Sequence, residues 1–305
     1  MSLNETLKYL YDLQFFGMKL GLENTIKLLK SLDDPHRTFP SIHVAGTNGK
    51  GSTCAMLASI FQAAGLKTGL YTSPHIKRFS ERIRINGEEI SDYDIINIAE
   101  KMRNEIDTLK CTFFEATTAM AFDYFADRQI DIGIIETGLG GRLDATNVVV
   151  PEESVITNIG MDHMEHLGTT LKAIAGEKAG IIKNHIPCMI GSVGEELKPV
   201  FSQAAKRQQA PLFFYDDIVR VEEKKLTNSG SKVDLFLKFV DGEFELKELE
   251  IGLAGRHQIQ NAVMAVAATR LQKKFNIPEA AIREGVRHPE WKGRLQIINH
   301  HPLII

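Results

Sequence analysis

The stretch Ala45-Gly46-Thr47-Asn48-Gly49-Lys50-Gly51-Ser52-Thr53 holds the residue types that polyphosphate chemistry needs. An apolar run from Ile42 precedes it and a helix-forming run from Cys54 to Ala64 follows, which reads as strand, glycine-rich turn, helix. Backbone N–H groups close around an anion only where side chains leave room. Gly46, Gly49 and Gly51 allow that approach, with Thr47 and Asn48 on the same turn, and the helix presents its positive N-terminus. Lys50 would reach the outer phosphates, and the hydroxyl of Ser52 or Thr53 would complete a magnesium shell. The spacing G-x-x-G-K-G-[ST] departs from the general G-x-x-x-x-G-K-[ST], which argues against a generic ATPase or kinase.

Five further groups could serve the same chemistry. Glu136 closes the apolar run from Ile130, where a phosphate-loop protein holds its magnesium. The glycine-rich Thr137 to Asn147 follows, and its three glycines, with Arg142 and Asp144 expected to be exposed among them, suggest backbone packed against a ligand. Asp162-His163-Met164-Glu165-His166 invites a zinc reading, but it lacks cysteine, a third clear ligand and H-E-x-x-H, so one of its histidines is read instead as a secondary magnesium ligand. Lys77, Arg78, Arg82 and Arg84 crowd the segment from Ile76 to Asn86. By composition that segment is a solvated loop, yet it leaves a strand beside the phosphate loop, where open α/β sheets bind ligands, and its cations suit an acidic substrate. Lys178 stands among small residues. It is either a solvated helical lysine or an unprotonated one able to take up carbon dioxide as a carbamate.

The elements that must position these groups alternate strand and helix. Two helices are expected over residues 3 to 32, and the βαβ rhythm begins at the first apolar strand and runs to about Tyr215. Val219 to Val240 and Phe244 to Ile251 then alternate around turn pairs, which predicts antiparallel hairpins edging the main sheet. His257 and Asn261 share a face at the start of an Ala-rich helix. The expected fold is α/β, a phosphate-loop-containing, mostly parallel sheet with helices on both faces, spanning 1–296 with a β insertion at about 216–252. The apolar run 297–305 reads as the start of a further, truncated domain.

Bulk properties narrow the partners. A formal net charge of −3 argues against nucleic acid held by bulk charge. Cys54, Cys111 and Cys188 are far apart and sit in apolar or helix-starting surroundings, as reduced structural thiols do. No run approaches the roughly 18 apolar residues of a membrane span, and the polar N-terminus lacks the apolar centre of a signal peptide. These features predict a soluble cytoplasmic chain with neither a nucleic-acid nor a membrane partner.

His43 to Thr53 resembles the phosphate loop of the folylpolyglutamate synthase/dihydrofolate synthase family within the Mur ligase superfamily. The resemblance continues through Thr72-Ser73-Pro74-His75, Phe79 to Ile83, Phe113-Phe114-Glu115, Glu136 to Asn147, Asp162-His163, Glu177 to Ile181 and His257-Gln258-x-x-Asn261. It implies an ATP- and Mg2+-dependent ligase, acting as a monomer, that joins L-glutamate to a folate or dihydropteroate carboxylate through an acyl phosphate. Lys50 would then hold phosphates, Ser52, Ser73, Glu136 and His163 would organise magnesium, and Lys178 would be the carbamylated lysine. Asn261 would meet the adenine, Arg294 the phosphates, and His75 and Arg82 the folate. The family's C-terminal domain is expected to be missing, which leaves a P-loop kinase or NTPase, or a nucleotide-binding fragment that does not ligate, as alternatives.

Overall fold

A strand buried at all five positions must be covered on both faces, and β1 (Ser41–Ala45) is such a strand. The computed structural model, which describes residues 1–17, 21–240, 242–293, 299–300 and 303–304, places it deep within an eight-stranded sheet. β1 pairs in parallel with β5 (Ile132–Glu136) on one side and β6 (Glu153–Ile156) on the other. Outward from β6 lie β7 (Cys188–Ile190) and β8 (Leu212–Phe214), also parallel. Outward from β5 lies β2 (Thr68–Tyr71), in parallel, followed by two antiparallel edge strands, β3 (Ile83–Ile85) and β4 (Glu88–Glu89).

Successive residues of these strands feed opposite cores. Ile134 and Val155 join a cluster with Leu57 and Phe61 of α3 (Lys50–Ala63) and Ala262 and Val266 of α10 (Arg256–Leu271), while Ile282 of α11 (Glu279–Arg287) closes the same layer. Ile135 faces the other way, toward α1 (Leu3–Asp12), α2 (Glu23–Lys30), α4 (Asp92–Leu109) and α5 (Phe113–Asp127). Ile156 and Ile190 pack on α7 (Leu171–Ala179) and α8 (Lys198–Gln208). This is the two-sided α/β sheet expected from the run of apolar strands. The expected capping box opens α5, with Thr112 Oγ1 accepting from the Glu115 amide.

Two expectations are corrected. The cation-rich segment is not wholly loop, because Ile83 and Ile85 are buried and pair antiparallel with β2. The hairpins β9 (Val219–Thr227), β10 (Gly230–Phe239) and β11 (Gly242–Ile251) do not edge the main sheet. They form a separate three-stranded sheet, whose inward residues Val233, Leu235, Leu246 and Leu249 bury against the α3–α10–α11 layer. Of the C-terminal run read as the start of a further domain, Asn299–His300 pairs antiparallel with Leu303–Ile304, and its other residues from 294 onward lie outside the described ones.

Glu153, at the start of β6, is fully buried, and among the described residues neither carboxylate oxygen has a partner. Burial pushes its carboxyl well above the ordinary value. The folded state therefore holds a proton that the unfolded chain releases above the usual carboxylate range, and the stability this supports is present at acid pH and lost as pH rises through the folded pKa. Glu153→Leu is expected to stabilise the protein by about 1–3 kcal/mol near neutral pH, and by less near pH 5. Thermal melts at the two pH values check this, and an equal gain at both would contradict the buried proton.

Candidate active site

The phosphate loop leaves the carboxyl end of β1 and is braced from the end of β6. The Thr47 amide donates to Asn158 O (3.1 Å), the Asn48 amide to Asn158 Oδ1 (2.8 Å), and Thr157 Oγ1 to Asn48 O (2.6 Å). Gly49 caps α3 at φ +83°, and a Cβ there would lie 2.3 Å from Asn261 Oδ1. A Cβ on Gly51 would lie 2.5 Å from the Trp291 ring, so the extra glycine that sets this loop apart admits an indole. No side chain caps α3, which leaves its N-terminal amides for an anion. These features fit a polyphosphate.

Two lysines converge on one carbonyl. Lys50 Nζ donates to Gly46 O (3.0 Å) and Thr47 O (3.3 Å), and Lys178 Nζ donates to Gly46 O (2.9 Å). Lys178 is 2% exposed, so its reading as a solvated lysine fails. Burial first, and the Lys50 charge second, pull its pKa from 10.5 down to about 8, with Asp162 and Asp144 opposing. Glu136, at the end of β5, accepts from the Ser73 amide (3.1 Å) and so ties the sheet to the loop that follows β2. Ser52 Oγ accepts from Gln258 Nε2 (3.3 Å), whereas the Thr53 hydroxyl is sealed in the core without a partner. Of the two hydroxyls, Ser52 is the one left to a metal.

Beside this lies a cavity of about 630 Å3, bounded by Phe113, Phe114, Leu143, Ser73 and Arg82 among others. Arg82 is 7% exposed. Its Nε donates to His75 Nδ1 (2.7 Å), and its guanidinium lies 5.1 Å from the centre of the Phe113 ring. His75 stands behind it, 3.4 Å from the Tyr11 hydroxyl, with a pKa lowered by burial and then by Arg82. Arg78 instead pairs with Glu89, and Arg84 donates to Glu81 O, so Arg82 is the cation of that segment that reaches the cavity. Arg142 lines the wall and is ion-paired with Glu177 (2.8 Å).

Asp144 corrects an expectation. It also lines the cavity but is buried, not exposed, and accepts from the amides of Leu139 (2.7 Å) and Thr146 (3.0 Å). His163 borders the cavity at φ +45°, exposed, 3.5 Å from Asp162. The helix Met164–Leu167 is too short to present His163 and His166 as a helical pair. On α10, His257 is exposed, and the hydrogen-bonded pair is Gln258 with Asn261 (2.9 Å). Of the two adjacent residues, Gln258 is the one that turns inward. Trp291 and the bracing Thr157 and Asn158 carried no sequence signal of their own, since only folding brings them to the loop. Arg294 lies outside the described residues.

Comparison with known proteins decides the family. Residues 44–269 match the Mur ligase middle domain. The dihydrofolate synthase/folylpolyglutamate synthase of Bacillus subtilis (strain 168) is 40% identical over 297 residues, covering 94% of this chain and 68% of that protein. The chain belongs to the folylpolyglutamate/dihydrofolate synthase family. Among solved structures of the family, an FPGS–AMPPCP–folate complex superposes with a TM-score of 0.90 at 34% identity, covering 100% of this chain and 76% of that one. Escherichia coli FolC in complex with DHPP and ADP gives 0.87 at 33%, covering 100% and 70%. Members of this family are ATP-dependent ligases. Among the described residues, no helix of this chain is long and apolar enough to cross a membrane.

Proposed function

We propose that this chain uses ATP and Mg2+ to activate the carboxylate of a folate or dihydropteroate and joins it to L-glutamate. The observation that carries the reading is an aromatic, Arg82-bearing cavity linked to the phosphate loop through β5, whose Glu136 accepts from the cavity-lining Ser73 and lies in register with Val44 at the foot of the loop. The two relatives solved with a nucleotide and a folate-type ligand together support it.

A carboxylate is a poor electrophile, because its leaving group would be an oxide. Attack of its oxygen on the terminal phosphorus of ATP expels ADP and gives an acyl phosphate. The glutamate amine then attacks the acyl carbon, phosphate leaves and the nitrogen loses a proton. Lys50 and the α3 amides hold the phosphates, Arg82 and the aromatic walls seat the acid, and the loop braced by Thr157 and Asn158 keeps the phosphates in line, so that positioning and charge supply most of the catalysis. Ser52, Ser73, Glu136 and His163 would hold magnesium, which offsets phosphate charge when bound. Magnesium keeps few protein ligands when phosphates supply the rest, so one buried carboxylate with hydroxyls suits it. Asn261, against Gly49, is placed to contact the nucleotide, as Arg294 would from beyond the described residues. The reading takes the enzyme as a cytoplasmic monomer, with its three buried free thiols in support of a reducing compartment.

Calorimetric titration of dihydropteroate or tetrahydrofolate into the ATP-loaded chain tests the acid site. ADP release that requires both acid and glutamate, with the conjugate seen by mass, tests ligation. Nucleotide turnover indifferent to either acid would overturn the reading. Glu136→Gln keeps an oxygen for the Ser73 amide and hence the fold, but weakens magnesium dependence by about ten- to a hundredfold. A magnesium titration of ATP binding that coincides with the parent's would remove Glu136 from the metal site.

A further inference from the structure

We infer that His43 is a positioning residue: through Thr146 and Asp144 it fixes the Gly138–Leu139 wall of the acid cavity. His43 lies on β1, fully buried, with Nε2 2.8 Å from Thr146 Oγ1. The Thr146 hydroxyl has one proton, and it goes to Oδ1 of the Asp144 carboxylate, whose ionised form is held by backbone and hydroxyl donors against the upward pull of burial on its pKa. Toward His43 that oxygen can only accept. The ring must therefore carry its proton on Nε2, and Nδ1, buried and without a partner, is the bare lone pair.

The relay has a direction and an end. Asp144 takes the Thr146 hydroxyl and amide on one oxygen and the Leu139 amide on the other. Gly138 and Leu139 line the cavity. His43 thus connects the strand that feeds the phosphate loop with the wall against which the acid rests. Burial, and then the nearby Lys183 charge, hold its pKa down at about 3, so the ring stays neutral and its donor stays in place at working pH. A valine would fill such a site without stranding a buried nitrogen. An imidazole there is favoured by the donor it contributes.

The inference rests on the proposed reading only for what the cavity binds, and the experiment separates the two. Nitrogen-15 spectra of the His43 side chain in the intact chain should show the neutral Nε2–H tautomer from about pH 6 to about pH 8, and an Nδ1–H ring or an imidazolium would overturn the relay. Thr146→Val removes the oxygen that links the two ends, and Thr146→Ser restores it. Exchange of the Leu139 amide should quicken about tenfold in Thr146→Val and return in Thr146→Ser. Affinity for dihydropteroate should fall about tenfold in the valine variant, with ATP affinity unchanged. Unaltered exchange and acid affinity in Thr146→Val would sink the inference. Failure of the parent to bind either acid would count against the cavity's assignment alone, because the tautomer and the amide exchange still judge the relay.

Discussion

Lys50→Ala is expected to weaken ATP binding by at least about a hundredfold, corresponding to about 3 kcal/mol from charge-assisted contacts to phosphate oxygens. The lysine acts twice. Its ammonium donates to the carbonyls of Gly46 and Thr47, and in the proposed mechanism the same charge meets the phosphates. Alanine loses both, and Lys178, bound to the same Gly46 carbonyl, replaces neither because it is anchored on another helix. Calorimetry with Mg2+–ATP, beside circular dichroism to confirm the fold, measures this. An affinity within threefold of the parent would remove the phosphate loop from the mechanism.

Lys178→Ala is expected to lower ligation by about 10²–10³-fold while leaving the sheet intact, a loss typical of removing one preorganised group from a water-excluded site. With a pKa pulled from 10.5 to about 8, a sizeable share of this amine is neutral near pH 8. Its nitrogen can then add to carbon dioxide, releasing a proton and leaving a carbamate. Labelled bicarbonate should thus give more adduct at about pH 8.5 than at about pH 6.5, and short carboxylates should restore some activity to the alanine variant. The stability linkage has the same origin. Between about 8 and the unfolded value near 10.4, the unfolded chain binds a proton that the folded one has shed, so stability grows with pH across that window and is lost as pH falls through about 8. No adduct at either pH, with full activity in the alanine variant, would leave Lys178 a packing residue.

Much of this was legible because the chemistry is local. Gly46 to Ser52 carries its own turn and helix start, and Glu136 ends a strand whose burial is written in Ile130 to Ile135. What escaped was whatever depends on contacts across the chain. Asp144 looks exposed among glycines, yet those glycines bring backbone close enough to supply the amides that bury it. The cation-rich stretch shows its strand only as Ile83 and Ile85, too short a period to stand out from the charges around it. The hairpins at 219–251 alternate correctly, but alternation says that one face is buried and not against what. His257 and Gln258 differ by one residue, about a quarter of a helical turn, and hydrophobic patterning in an Ala-rich helix is too even to decide between them.

The indole that lies against Gly51 belongs to the chain's one tryptophan. Among the described residues its nitrogen is shielded from solvent and without a partner, and its ring carbons lie against the first turn of the phosphate-loop helix. The protein thus carries its own optical probe, a lone fluorophore whose colour and brightness depend on how closely that turn is packed. If the proposed function holds, occupancy of the phosphate loop becomes a spectral quantity, readable in the native chain without a label and on the timescale of a mixing experiment.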